Sequence, residues 1–135
     1  MRKNIHPSAS IADSVTLGKD VIIEQNVVIK GQTTIGDRVT VKANVYIDGN
    51  VTIGEDTVLW PGAVIGTQTQ AIKYAGETTY VQIGKRCQIR EYVTINSSYG
   101  EGDVVSVGDD CLIMAYCHIA HHCHVGNSVI CLLYT

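Results

Sequence analysis

The run Cys117-His118-Ile119-Ala120-His121-His122-Cys123-His124 holds four of the five histidines in a chain of 135 residues. An imidazole can take and return a proton near neutral pH, so acid–base chemistry is the first reading of this stretch. The two cysteines beside them raise a second, a zinc ion held by Cys117, His118, His122 and Cys123. Which reading stands depends on where each side chain points. That is decided by the elements that carry the run.

Those elements announce themselves as a repeat of six. Stepping from Ile5 through Ile11, Leu17, Ile23 and onward to Cys131 visits 22 positions, and 18 of them are Ile, Leu or Val. Four places further on, the residue is small or β-branched (Ala9, Val15, Val21, Val27 and onward to Val129), with Tyr99 as the bulky exception. Glycine often follows the aliphatic, at Gly18, Gly36, Gly54, Gly66, Gly84, Gly108 and Gly126, which suits a corner with unusual backbone angles. Neither a helical period nor a hairpin alternation fits. Each hexad reads as a short strand plus a corner, and three hexads close one triangular coil. Stacked coils pair as parallel strands about 4.8 Å apart. The fold predicted is all-β, a left-handed parallel β-helix of about seven coils, forming one domain over residues 1–135.

The frame also shows where the chain leaves this prism. Ala71 and Glu77 fall on interior positions, and a carboxylate does not sit unpaired in an aliphatic core. An external loop is therefore expected near 67–79. Glu101 marks a shorter excursion near 98–104. Loops on a regular scaffold are where function concentrates.

With the frame fixed, the reactive run can be oriented. His121 and His122 fall on a corner, while His118 and His124 fall on outward places of the flat faces. Cys87, Cys111, Cys117 and Cys123 fall on the small inward place, as free thiols used for packing. Inward thiols and outward imidazoles converge poorly on one ion, so no metal is expected. His6 lies far from the run.

Composition narrows the function further. Aromatic residues are only 6% and phenylalanine is absent, which fits a narrow aliphatic core. A net charge of −3 without a basic run points away from nucleic acid and from a membrane surface. Met1-Arg-Lys-Asn leads into His6-Pro7-Ser8 and no apolar run approaches the length of a membrane span, so a cytoplasmic protein is expected.

Several motifs resemble one enzyme family. These are the loop Gln70-Ala71-Ile72-Lys73-Tyr74-Ala75-Gly76-Glu77, the run Ile89-Arg90-Glu91-Tyr92-Val93-Thr94-Ile95, and His118-Ile119-Ala120-His121. Together with the hexads they are similar to bacterial UDP-N-acetylglucosamine O-acyltransferase, which acts first in lipid A synthesis. The resemblance runs from about Ile5 to Ile130. It implies a homotrimer with sites between neighbouring prisms. It also implies transfer of a (3R)-3-hydroxyacyl chain from acyl carrier protein to the sugar 3-hydroxyl, without cofactor or metal. His121 matches the general base, and Lys73, His118, Gln70 and His122 match or neighbour substrate contacts.

The chain departs from the family pattern at His122, where an Asp is common, at Ala71, where an acid is common, and at Asn96, where a histidine can stand. It has roughly half the family's length. Leu133 and Tyr134 occupy corner places, so a truncated or frame-altered copy is expected, without the later coils and the C-terminal helical domain. Two other readings are a γ-carbonic-anhydrase-like zinc β-helix using His118, His122 and His124, and a non-catalytic β-helical subunit.

Overall fold

The computed structural model describes residues 4–132. Eighteen short strands form three parallel sheets of six strands each, one sheet per face of a prism. Face one carries Ser10–Ile11, Val28–Ile29, Tyr46–Ile47, Val64–Thr67, Thr94–Asn96 and His118–Ile119. Face two carries Thr16–Leu17, Thr34–Ile35, Val51–Ile53, Tyr80–Ile83, Val104–Val107 and His124–Val125. Face three carries Ile22–Ile23, Thr40–Val41, Val58–Leu59, Gln88–Ile89, Leu112–Ile113 and Ile130–Cys131. The chain visits the faces in that order, coil after coil. This is the left-handed parallel β-helix that the hexads predict.

Register locks the aliphatics into columns. On face one Ile11 pairs with Ile29, Ile29 with Ile47, Ile47 with Ile65, Ile65 with Ile95 and Ile95 with Ile119. From Ile29 to Ile95 these side chains are fully buried. Each buried isoleucine contributes roughly 1.5–3 kcal/mol against exposure. The prism has six coils where about seven were expected. The difference lies in the three hexads around Ala71, Glu77 and Glu101, which run outside it. The loops occupy residues 68–79 and 97–103, so Thr67 and Val104 belong to strands.

The glycines serve a different purpose from the one their spacing suggests. Of the seven that follow the aliphatic, only Gly66 has a positive φ. Gly36, Gly54, Gly84 and Gly108 stack along the edge between faces two and three, where a Cβ would meet the next coil. At Gly54 it would lie 2.6 Å from the Gly84 carbonyl carbon, and at Gly84 it would lie 2.5 Å from the Gly108 oxygen. Room, not backbone angle, selects glycine there. The left-handed residue is instead the fourth of the hexad, at Asn26, Asn44, Asp56, Asp110 and His122 among others. Asn and Asp adopt that conformation at less cost than bulkier residues.

The same edge is braced between coils. Side-chain oxygens of Asp37, Asp109 and Asn127 accept hydrogen bonds from the backbone N–H groups of Lys19, Lys85 and Asp109, each at 2.8 Å. Arg38 pairs with Asp56 and Arg86 with Asp110. Both loops lie on a different edge, the one between faces one and two. Replacing Gly54 by Ala is expected to destabilise the fold by about 1–3 kcal/mol through overpacking. Thr34→Ala, on the exposed side of face two, should stay within about 0.5 kcal/mol. Urea midpoints of the two variants against the parent test this, and equal midpoints would show that the column tolerates a methyl group.

Candidate active site

Three successive coils place their special features on one edge, where face one turns into face two. The long loop 68–79 follows the fourth strand of face one, the excursion 97–103 follows the fifth, and Ala120–Cys123 follows the sixth. His118 ends up on face one just before this edge and His124 on face two just after it. Both are exposed. His118 Nδ1 lies 2.7 Å from Thr94 Oγ1, and His124 Nδ1 lies 2.8 Å from Ser106 Oγ, each with a residue one coil back.

His121 and His122 meet at the corner itself. Their Nδ1 atoms are 3.0 Å apart, with the rings perpendicular. His122 adopts φ 59°, and its backbone N–H donates to Ser98 Oγ at 3.1 Å. Its Nε2 lies 3.0 Å from Asp103 Oδ2. The Ser98 hydroxyl donates to the same carboxylate oxygen. Tyr99 closes the group, its ring 5.1 Å from His121 and 4.5 Å from His122. The excursion therefore delivers a serine, a tyrosine and an aspartate to the histidine corner. The hydrogen bond from Ser98, then the charge of His122 when protonated, hold the Asp103 carboxyl below the usual range.

The substrate contact expected of His122 does not fit this arrangement, because both its ring nitrogens are engaged within the chain. Gln70 and Lys73 are exposed on the long loop, which leaves the prism two coils before the histidines. Ile72 beside them is fully exposed. The loop is fastened to the excursion, since Thr78 N–H donates to Glu101 Oε2 at 3.0 Å and Gly102 N–H donates to the Thr78 carbonyl at 2.8 Å. Beneath the loop lies a cavity of about 270 Å³ lined by Asp48, Asn50, Thr67, Tyr74, Glu77 and Thr79, which contains none of the histidines. Asn96 is buried at this edge. Its Nδ2 donates to Thr67 Oγ1 at 2.9 Å, and its Oδ1 has no partner.

The cysteines stand apart from this chemistry. All five are free, and Cys87, Cys111 and Cys117 are buried. Burial pushes the Cys87 and Cys117 thiols up. No group of three or more His, Cys, Asp or Glu side chains among the described residues has an arrangement fit for a metal ion. Nor is any helix among them long and apolar enough to cross a membrane.

Residues 32–67 match the bacterial transferase hexapeptide (six repeats) model. The chain is 53% identical over 120 residues to the acyl-[acyl-carrier-protein]–UDP-N-acetylglucosamine O-acyltransferase of Chlamydia caviae, covering 89% of this chain and 43% of the relative. Over its matched length the chain belongs to the UDP-N-acetylglucosamine O-acyltransferase family. Solved structures agree. The UDP-N-acetylglucosamine acyltransferase of Bacteroides fragilis superposes with a TM-score of 0.91 at 36% identity, over 93% of this chain and 49% of that one. The Campylobacter jejuni enzyme gives 0.86 at 41% identity over the same shares. The chain thus spans less than half the length of these relatives.

Within this acyltransferase-family chain, Ser98, Tyr99 and Asp103 are the site residues that sequence reasoning did not single out. Tyr99 was visible as the bulky exception and Glu101 as the frame break. Nothing periodic tied Asp103 to His122.

The two loops also carry depressed carboxyls. Glu77 is held below its ordinary value first by the Ala75 N–H, which donates to its Oε2 at 2.8 Å, and Asp103 chiefly by Ser98. A carboxyl depressed in the folded state stabilises it above the ordinary carboxyl value. That contribution is lost as pH falls through the depressed value. The Ala75 amide resonance is therefore expected to titrate with a midpoint below that of an ordinary glutamate. A midpoint at or above it would rule out the hydrogen bond from the Ala75 N–H to Glu77.

Proposed function

We propose that this chain serves hydroxyacyl transfer from acyl carrier protein to the 3-hydroxyl of UDP-N-acetylglucosamine, the opening step of lipid A synthesis, with His121 as general base. The observation that carries the reading is the paired imidazoles of His121 and His122 at one corner, with the Asp103 carboxylate behind them. They stand in a chain 53% identical to a relative bearing that name. A sugar hydroxyl is a poor nucleophile until its proton is taken. As His121 Nε2 accepts that proton, the oxygen attacks the thioester carbonyl and the C–S bond breaks. The imidazolium then returns the proton to the departing thiolate. The reaction balances without metal, cofactor or covalent enzyme intermediate.

Lys73 is assigned to the phosphate-bearing reactants, for which a mobile point charge is suited. Gln70 beside it and His118 on face one are assigned as further substrate contacts. A homotrimer is part of the same reading. In its support, exposed apolar side chains gather on face three and its edge with face one, at Ile22, Tyr92, Met114, Tyr116 and Ile130, with Tyr92 and Tyr116 stacked 5.4 Å apart. Cytoplasmic residence fits five free thiols.

Acyl transfer from 3-hydroxyacyl carrier protein to the nucleotide sugar is the test, with the parent chain and His121→Ala side by side. The variant is expected to lose about 10²–10⁴-fold in rate. Equal rates would remove His121 from the mechanism.

A further inference from the structure

We propose that Asp103 and His122 are positioning residues that set the tautomer of His121, forming the chain Asp103–His122–His121 in which the carboxylate acts through an intervening imidazole. The inference rests on the reading of His121 as the base, and it supplies the orienting group that the family's usual aspartate would provide from position 122.

Valence decides which ring nitrogens carry the protons. A carboxylate only accepts hydrogen bonds, and a neutral imidazole has one N–H and one bare nitrogen. Asp103 faces His122 Nε2 at 3.0 Å, so that nitrogen carries the proton. His122 Nδ1 is then bare. It lies 3.0 Å from His121 Nδ1, a hydrogen-bond separation that needs one donor, so His121 carries its proton on Nδ1. The lone pair of His121 is left on Nε2, where a base must present it. An isolated imidazole side chain favours the opposite tautomer, so the arrangement imposes a form that His121 would not adopt by default.

The surroundings hold each link. The Ser98 hydroxyl donates to Asp103, and its oxygen accepts the His122 backbone N–H, which fixes the carboxylate and the corner to one buried side chain. Tyr99 packs against both rings. The geometry also explains why a histidine serves at position 122. Asp103 comes from the preceding coil, and an imidazole has an acceptor and a donor far enough apart to span from it to His121.

Long-range ¹H–¹⁵N correlation of the ring nitrogens in the labelled chain, at about pH 8 where free imidazole is neutral, reads both tautomers directly. The expected result is a bare Nε2 on His121 and a bare Nδ1 on His122. A proton on His121 Nε2, or a mixture, would overturn the proposal. In Asp103→Ala the two directions of the His–His bond become equivalent in bond count. Both rings should then show mixed tautomers, with kcat falling tenfold or more at little change in KM, and a His121 that keeps a single tautomer counts against the chain. If Asp103→Ala does not fold, His122→Asp takes its place. It puts a carboxylate beside His121 and should keep the proton on His121 Nδ1, whereas a shift to Nε2 would refute the orienting role. The expected tautomers with no acyl transfer in any form would leave the relay standing and remove the proposed reaction.

Discussion

Everything in this molecule depends on each coil being hydrogen-bonded to the next. Strands of two residues have no stability of their own, and here they exist because each backbone group finds a partner one coil away. Thr94 N–H donates to the Cys117 carbonyl, Ser106 N–H to Cys123 and Leu112 N–H to Val129, one bond on each face of the same step. The spacing of about 4.8 Å then governs what side chains are allowed. Inside, one aliphatic side chain stacks on another, isoleucine on isoleucine along face one and mixed Ile, Val and Leu on the other two. At the edge between faces two and three the backbones approach so closely that only glycine fits. Stability in such a stack is close to a sum of coil terms and neighbour terms, so a disturbance in one coil is felt mainly by those above and below.

That one-dimensional order is what makes a site possible on an otherwise uniform surface. Corners of successive coils stand above one another, and lengthening one corner brings its side chains over the next. The excursion 97–103 does this. Register alone puts Ser98 beneath the His122 backbone, each lying three residues past the Ile95–Ile119 pair, and the added residues bring Asp103 against its ring. The left-handed conformation of the fourth hexad residue matters too. At φ 59° the His122 backbone turns its N–H toward Ser98.

The hexad frame made most of this legible in advance. It placed His121 and His122 on a corner and the cysteines inward, and it located both excursions through Glu77 and Glu101, because burial and alternation are periodic properties. It misassigned the glycines at positions 36, 54, 84 and 108, since an inter-coil distance is not visible in a single hexad. Asp103 also escaped it. The contact with His122 joins residues on different coils across a segment with no period, and no local pattern carries such a pairing. His122 was read as a substrate contact for the same reason, its partners being out of sight.

The two loops are not independent features on the same edge. The segment that carries Asp103 also fastens the loop that carries Lys73, through Glu101 to the Thr78 N–H and through Gly102 to the Thr78 carbonyl. Tyr80 N–H donates to the Asp103 carbonyl, and Asn50 holds the Thr79 carbonyl from the coil before. The polar path therefore runs without a break from the third coil, through both loops, to the histidine corner on the sixth. Each bond in it joins neighbouring coils, as the stack requires. If Lys73 binds a reactant and His121 takes the proton, as proposed, the loop and the corner that carry them are tied through one set of contacts, and fixed geometry is what two reactants need. The prism stacks an ordered edge on which a short detour in one coil meets the corner of the next.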